Sequence, residues 1–169
     1  ERNCSMVLTT RKMPLAKMLL VFLGTLIAGN VLLILIQTFL PNVPMPGSIG
    51  IVFAMVASMS AGGTAATTLG RPLMAKEKLT YAAAATAASL VLTVVIFWGL
   101  FAWNGVPFTL SNVIMAAMGE AAPDAEIAAI LPWIGLFAIV VSLLVCYFAV
   151  GFGTKNQLRA LDRRAAKGK

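Results

Sequence analysis

The stretch Gly47–Gly70, GSIGIVFAMVASMSAGGTAATTLG, decides the fold. It exceeds the roughly 20 residues a helix needs to cross a hydrocarbon core, yet its middle carries almost no bulk. Ala54, Ser58, Gly62, Ala66 and Gly70 recur at intervals of four, so on a helix they form one narrow stripe of small side chains. In lipid, burying apolar surface between helices gains little, because the acyl chains are equally apolar. A stripe of small residues instead lets two backbones approach and collect dispersion contacts. The sequence therefore predicts that this helix is the one its neighbours pack against.

Composition agrees. The chain has 169 residues, of which 60% are hydrophobic and 11% charged. An ordinary soluble domain carries about a quarter charged residues, and one soluble core would not hide so much apolar mass. Three further runs read as spans, over about 15–40, 80–103 and 131–153, beside the one at 47–70. The three prolines of Pro41–Gly47 forbid helix continuation between the first two. The connector Arg71–Leu79 is charged and must be wet. The small half of the third span, YAAAATAAS, is expected to approach the second span, and Tyr81, Trp98, Trp103, Trp133 and Tyr147 are expected at the interfaces. Between the third and fourth spans, LSNVIMAAMGE reads as a short interfacial helix capped by Ser111 or Asn112. Helix then restarts at APDAEIAAI, with Pro132 tolerable in the first turn of the fourth span. The tail 154–169 reads as a basic helix leaving the bilayer. The whole is an all-α integral membrane protein: one domain of four transmembrane helices in an antiparallel bundle, plus the interfacial helix.

The 13 Lys and Arg residues fix an orientation. Arg2, Arg11, Lys12 and Lys17 gather at the first span, Arg71, Lys76 and Lys78 in the second connector, and Lys155, Arg159, Arg163, Arg164, Lys167 and Lys169 in the tail. The first and third connectors have none. The positive-inside rule then makes both termini and the middle connector cytoplasmic, and an even number of spans requires the same. Because the cations flank the spans, they read as orientation and headgroup contacts rather than as a nucleic-acid surface.

Little here reads as catalytic. There is no histidine, which removes the usual haem ligand, the commonest zinc ligand and any His-based triad. Cys4 and Cys146 read as two free thiols. Glu120, Asp124 and Glu126 read as a solvated loop without calcium-loop spacing, and a membrane enzyme would need them to act with a metal. No catalytic, cofactor-binding or metal residues are assigned, and no cofactor is expected. Asn30 and Gln37, two turns apart in the first span, are expected to hydrogen-bond across to a partner helix. Thr64, Thr67 and Thr68 are expected to bond back to their own helix.

The small-residue span, the connector GRPLMAKEK and the segment VGFGTKNQLRAL resemble a family of small bacterial inner-membrane proteins of about this length, with four spans and no assigned function. That resemblance implies the architecture, the topology and a cytoplasmic-membrane location, and it brings no site residues. The function expected is that of a non-enzymatic accessory or structural subunit of a larger membrane complex. Partners would be membrane lipids and that complex or a second copy, with Ile96, Phe97, Leu100, Phe101, Val113 and Met118 as a candidate docking surface. The alternative is a small transporter, channel or lipid-binding module, with a polar path along Asn30, Gln37 and Ser58 to Thr68.

Overall fold

The computed structural model describes residues 12–40, 49–109, 112–113 and 125–167, without the side chains of 37, 125–129 and 131. Four long helices account for nearly all of it: α1 (Leu15–Phe39), α2 (Ile49–Leu69), α3 (Ala75–Trp103) and α4 (Ala125–Lys167). All four are long and apolar enough to cross a membrane. Their bounds differ from the expected spans in two places. α3 begins at Ala75, taking Lys76, Glu77 and Lys78 into its first turn. α4 joins the expected restart, the fourth span and the basic tail into one helix of 43 residues. Pro132 consequently lies well inside α4, where its ring supplies no N–H to the carbonyl of Ala128. Of the expected interfacial helix only Asn112 and Val113 are described, and both are helical. There Thr109 accepts from the Asn112 backbone N–H through its Oγ1 at 3.3 Å, and Ser111 lies outside the described residues.

α2 packs along α4 and α1, and α3 packs along α4 and α1, so α2 and α3 occupy opposite corners. The small half of α3 thus approaches α1 and α4, not α2 as its sequence led one to expect. The reason is Tyr81: it is fully buried rather than interfacial, and its ring fills the bundle centre edge-on to Phe22, with centroids 6.2 Å apart. Flanking Ala82 and Ala85 leave it room. Trp98, Trp103 and Trp133 are all exposed.

α2 has the lowest mean hydropathy of the four, 1.6, yet it is the most enclosed. Its buried face is wider than one stripe and comprises Ala57, Ser58, Ala61, Gly62, Ala65 and Ala66. Against it α4 sets Cys146, Ala149, Val150, Gly153 and Thr154. At two points backbone meets backbone. A Cβ on Gly62 would collide with the carbonyl oxygen of Val150 and come within 3.0 Å of the Thr154 nitrogen. A Cβ on Gly153 would collide with the carbonyl of Met59 and lie 2.7 Å from its Cα. Ala54 is half-buried, and Gly70 is not a packing residue. Gly70 is exposed with φ +65° and nothing within 4 Å of a would-be Cβ. It ends α2 in the left-handed conformation that glycine adopts freely, its N–H bonded to the Ala66 carbonyl at 2.9 Å. Its place in the four-residue spacing is an accident of where the helix stops.

These contacts predict the outcome of substitution at Gly62. Gly62→Val should lower the stability of the detergent-solubilised protein by about 1–3 kcal/mol, as overpacking does when no neighbour is free to give way. Gly24, with open space around it, should accept alanine without loss. Denaturant titration followed by circular dichroism distinguishes the two.

Candidate functional site

The polar groups of the spans fall into two sets. Most bond back to their own helix: Thr25 to Val21, Ser60 to Val56, Thr64 to Ser60, and both Thr67 and Thr68 to Thr64, at 2.8–3.2 Å. Such bonds let a hydroxyl enter an apolar layer without a second helix to receive it. Asn30 belongs here too. Its Nδ2 donates to the Leu26 carbonyl at 2.8 Å, within α1, instead of to a partner helix as the sequence predicted. The cause is local: the carbonyl four residues back on its own helix lies within reach of this short amide, which is thereby satisfied without a second helix. The Gln37 side chain lies outside the described residues.

The second set surrounds the bundle axis. Asn30 opens on a cavity of about 280 Å³ between all four helices, whose polar lining is completed by Ser89, Thr93 and Ser142. Ser89 and Thr93 donate within α3, to Thr86 and Ser89. Ile96 and Phe97, expected on a docking surface, line this cavity instead. Leu100 is exposed, Phe101 stacks on Phe97 and meets Phe108 edge-on, Val113 is half-buried, and Met118 lies outside the described residues. Next along the axis come Ser58, Tyr81 and Thr86, all buried, whose hydroxyls find no hydrogen-bond partner among the described residues. Cys146 lies among them as a free, buried thiol. Ser58, read from its spacing as a packing residue, therefore has a second role as part of this buried polar group. Ser60, Thr64 and Thr67 open instead on an outer groove between α2 and α4, so the serines and threonines of 58–68 do not share one path. Cys4 and the acidic trio Glu120, Asp124 and Glu126 have no described side chains. Among the described residues no group of three or more metal-ligating side chains comes together.

The one ion pair among the described residues clamps the α2–α3 connector. Arg71 grips Glu77 with both guanidinium nitrogens, at 2.9 and 2.7 Å, and the Met74 N–H donates to Glu77 Oε2 at 2.9 Å. Sequence reading treated this segment only as wet. The signal was present in Glu77, three residues past the start of the loop-to-helix transition, where a carboxylate caps free N–H groups. The bonds from Arg71 hold the Glu77 carboxyl below its ordinary value, with the Met74 N–H adding to them and partial burial opposing both.

Residues missed from sequence cluster on α4. Cys146, Val150 and Thr154 recur at intervals of four, as do Ala149 and Gly153 beside them, mirroring the stripe of α2, and Gly151 accommodates Lys78, whose Cε and Nζ would lie 3.2 Å from an added Cβ.

Glu77 contributes stability only while ionised. Because its folded pKa is lowered, that contribution is complete above the ordinary carboxylate value and disappears as pH falls through the lowered one. Glu77→Gln should therefore cost about 0.5–1 kcal/mol near neutrality, the range of a solvent-accessible pair. Thermal unfolding of the two proteins should converge as pH falls below the ordinary carboxylate value of about 4.3.

Comparison of the chain with protein-family models, with curated proteins and with solved structures finds no match, so the reading of its function rests on the chain itself.

Proposed function

We propose that the chain is a non-enzymatic accessory subunit: a rigid four-span bundle that holds a cationic helical arm at the inner face of the bacterial cytoplasmic membrane, docked to a larger integral membrane assembly. The observation that carries this reading is the continuity of α4, whose 43 residues extend over about 65 Å, twice the roughly 30 Å of a hydrocarbon core. Its last stretch is exposed throughout 162–167, and Arg159, Arg163, Arg164 and Lys167 stand on it without carboxylate partners among the described residues.

An up-and-down arrangement is supported by α2 and α4 running the same way, as alternate spans of such a bundle do: Gly50, Ile51 and Ala54 share a cavity with Val141, Ser142 and Val145, whereas Ser60, Thr64 and Thr67 share a groove with Asn156, Gln157 and Ala160. Cytoplasmic termini follow from the cation distribution under the positive-inside rule. The resemblance to small four-span bacterial membrane proteins, and an interfacial helix before α4, belong to the same reading. Rigidity is supported by the glycine contacts, because helices joined backbone to backbone have little freedom to slide. The docking partner would meet the exposed outer residues such as Leu100, and the arm would meet acidic surface at the membrane face.

Reversing the arm charges, with Arg159, Arg163, Arg164 and Lys167 all replaced by Glu, should leave the bundle folded, since these side chains are exposed. Each cation near a membrane surface is worth about 1 kcal/mol, so association with the larger complex after mild solubilisation should weaken at least ~10-fold. A wild-type protein that migrates alone under the same conditions counts against the reading.

The central cavity favours one second reading, a small transporter or binding module using Asn30, Ser89, Thr93 and Ser142. Under the accessory reading Asn30→Leu costs on the order of 1 kcal/mol or less and leaves association intact. Loss of solute flux in liposomes from a folded Asn30→Leu protein would transfer the function to the cavity.

A further inference from the structure

We infer that the outer face of α4 carries a specific site for an anionic phospholipid, with its phosphate held between Lys78 and Lys155 and its acyl chain laid along Val141, Leu144 and Phe148. The inference rests on the membrane-spanning part of the reading above and is independent of the accessory role.

Three observations converge on this face. First, an open groove of about 730 Å³ runs along α4, walled by Met55 of α2 and by Val141, Leu144, Val145, Phe148 and Phe152 of α4. Second, both cations of the groove, Lys78 and Lys155, stand toward one end of it, where α3 begins and α4 moves on toward its basic tail. The only ion pair among the described residues is Arg71–Glu77, so neither lysine has a carboxylate counter-ion there. Third, Lys78 is held in place. Its Nζ lies 5.7 Å from the centroid of the Tyr147 ring, and its stem crosses α4 over Gly151, where any side chain would crowd it. A cation resting on an aromatic face keeps its remaining N–H donors available.

An apolar trough with positive charge at one end matches a lipid of the cytoplasmic leaflet, since both lysines belong to the side that the cation distribution makes cytoplasmic. Such a lipid satisfies both halves of the site, the headgroup at the lysines and the chain against the aromatic and aliphatic walls. An acidic peptide would satisfy only the lysines and would leave Phe148 and Leu144 facing its polar backbone.

The test is native mass spectrometry of the delipidated full-length protein, titrated with phosphatidylglycerol or with phosphatidylcholine of matched chains. Wild type should prefer the anionic lipid for its first bound molecule. Lys78→Gln and Lys155→Gln should each weaken that binding about 5-fold, and together about 25-fold. Gly151→Ala, which displaces the Lys78 stem without touching any charge, should weaken anionic binding and spare phosphatidylcholine. Lys76→Gln, a neighbouring cation outside the groove, should change nothing. Equal binding of the two lipids by wild type overturns the proposal, as does full selectivity in the double variant or a matching loss in Lys76→Gln. Alkaline carbonate extraction separates the two levels: release of wild type from membranes defeats the spanning reading itself, whereas retention with unselective lipid binding defeats the groove alone.

Discussion

The contact between α2 and α4 at Gly62 and Gly153 is the constraint on which the rest of the bundle depends. Between apolar helices in an apolar solvent, dispersion at close range is the main attraction, and it falls away steeply with any gap. Two glycines, each seated on the other helix's backbone, bring that pair as close as sterics allow. Everything else accommodates the resulting asymmetry. α1 joins α2 through Gly29, where the Phe53 ring occupies the space a side chain would take. α3 meets α1 and α4 and fills the centre with Tyr81, the largest fully buried side chain.

That asymmetry also sorts the polar groups. Thr64, Thr67 and Thr68 turn their hydroxyls back on carbonyls of their own helix, Thr64 and Thr67 beside the outer groove between α2 and α4. Between all four helices an axial cavity remains, and Asn30, Ser89, Thr93 and Ser142 collect around it. Ser58, Tyr81 and Thr86 lie deeper, each with a hydroxyl unpartnered among the described residues. Buried hydroxyls without partners are costly, and their gathering at the meeting point of three helices makes the bundle axis the polar feature of an otherwise greasy structure.

The number and rough extent of the helices were legible in the sequence, because long apolar runs punctuated by PNVPMPG and GRP leave few alternatives. The prominence of α2 was legible as well, from the spacing Ala54, Ser58, Gly62, Ala66. The identity of its partner was not. The small side chains of YAAAATAAS and of CYFAVGFGT offer equally close approach, and the choice of α4 over α3 depends on a steric fact about three helices at once, the volume of Tyr81. Asn30 was misjudged for a related reason: its polarity demands a hydrogen bond, but whether a neighbouring helix or its own carbonyl supplies it depends on what stands opposite. Gly70 shows the converse hazard, a residue in perfect register with a stripe it does not join.

The unbroken course of α4 has a mechanical consequence. Beyond Gly153, seated on the Met59 backbone, the helix runs on as a stiff rod to Lys167 and behaves as a lever whose fulcrum sits at the bundle's edge. Its free end spans about 20 Å, so a 10° change in tilt, well within what bilayer thickness imposes on helices, displaces the tip by ~3–4 Å. Under the membrane-spanning reading proposed above, with no proline or glycine among residues 154–167 to bend the rod, variation in membrane thickness would be translated into movement of positive charge at the membrane face.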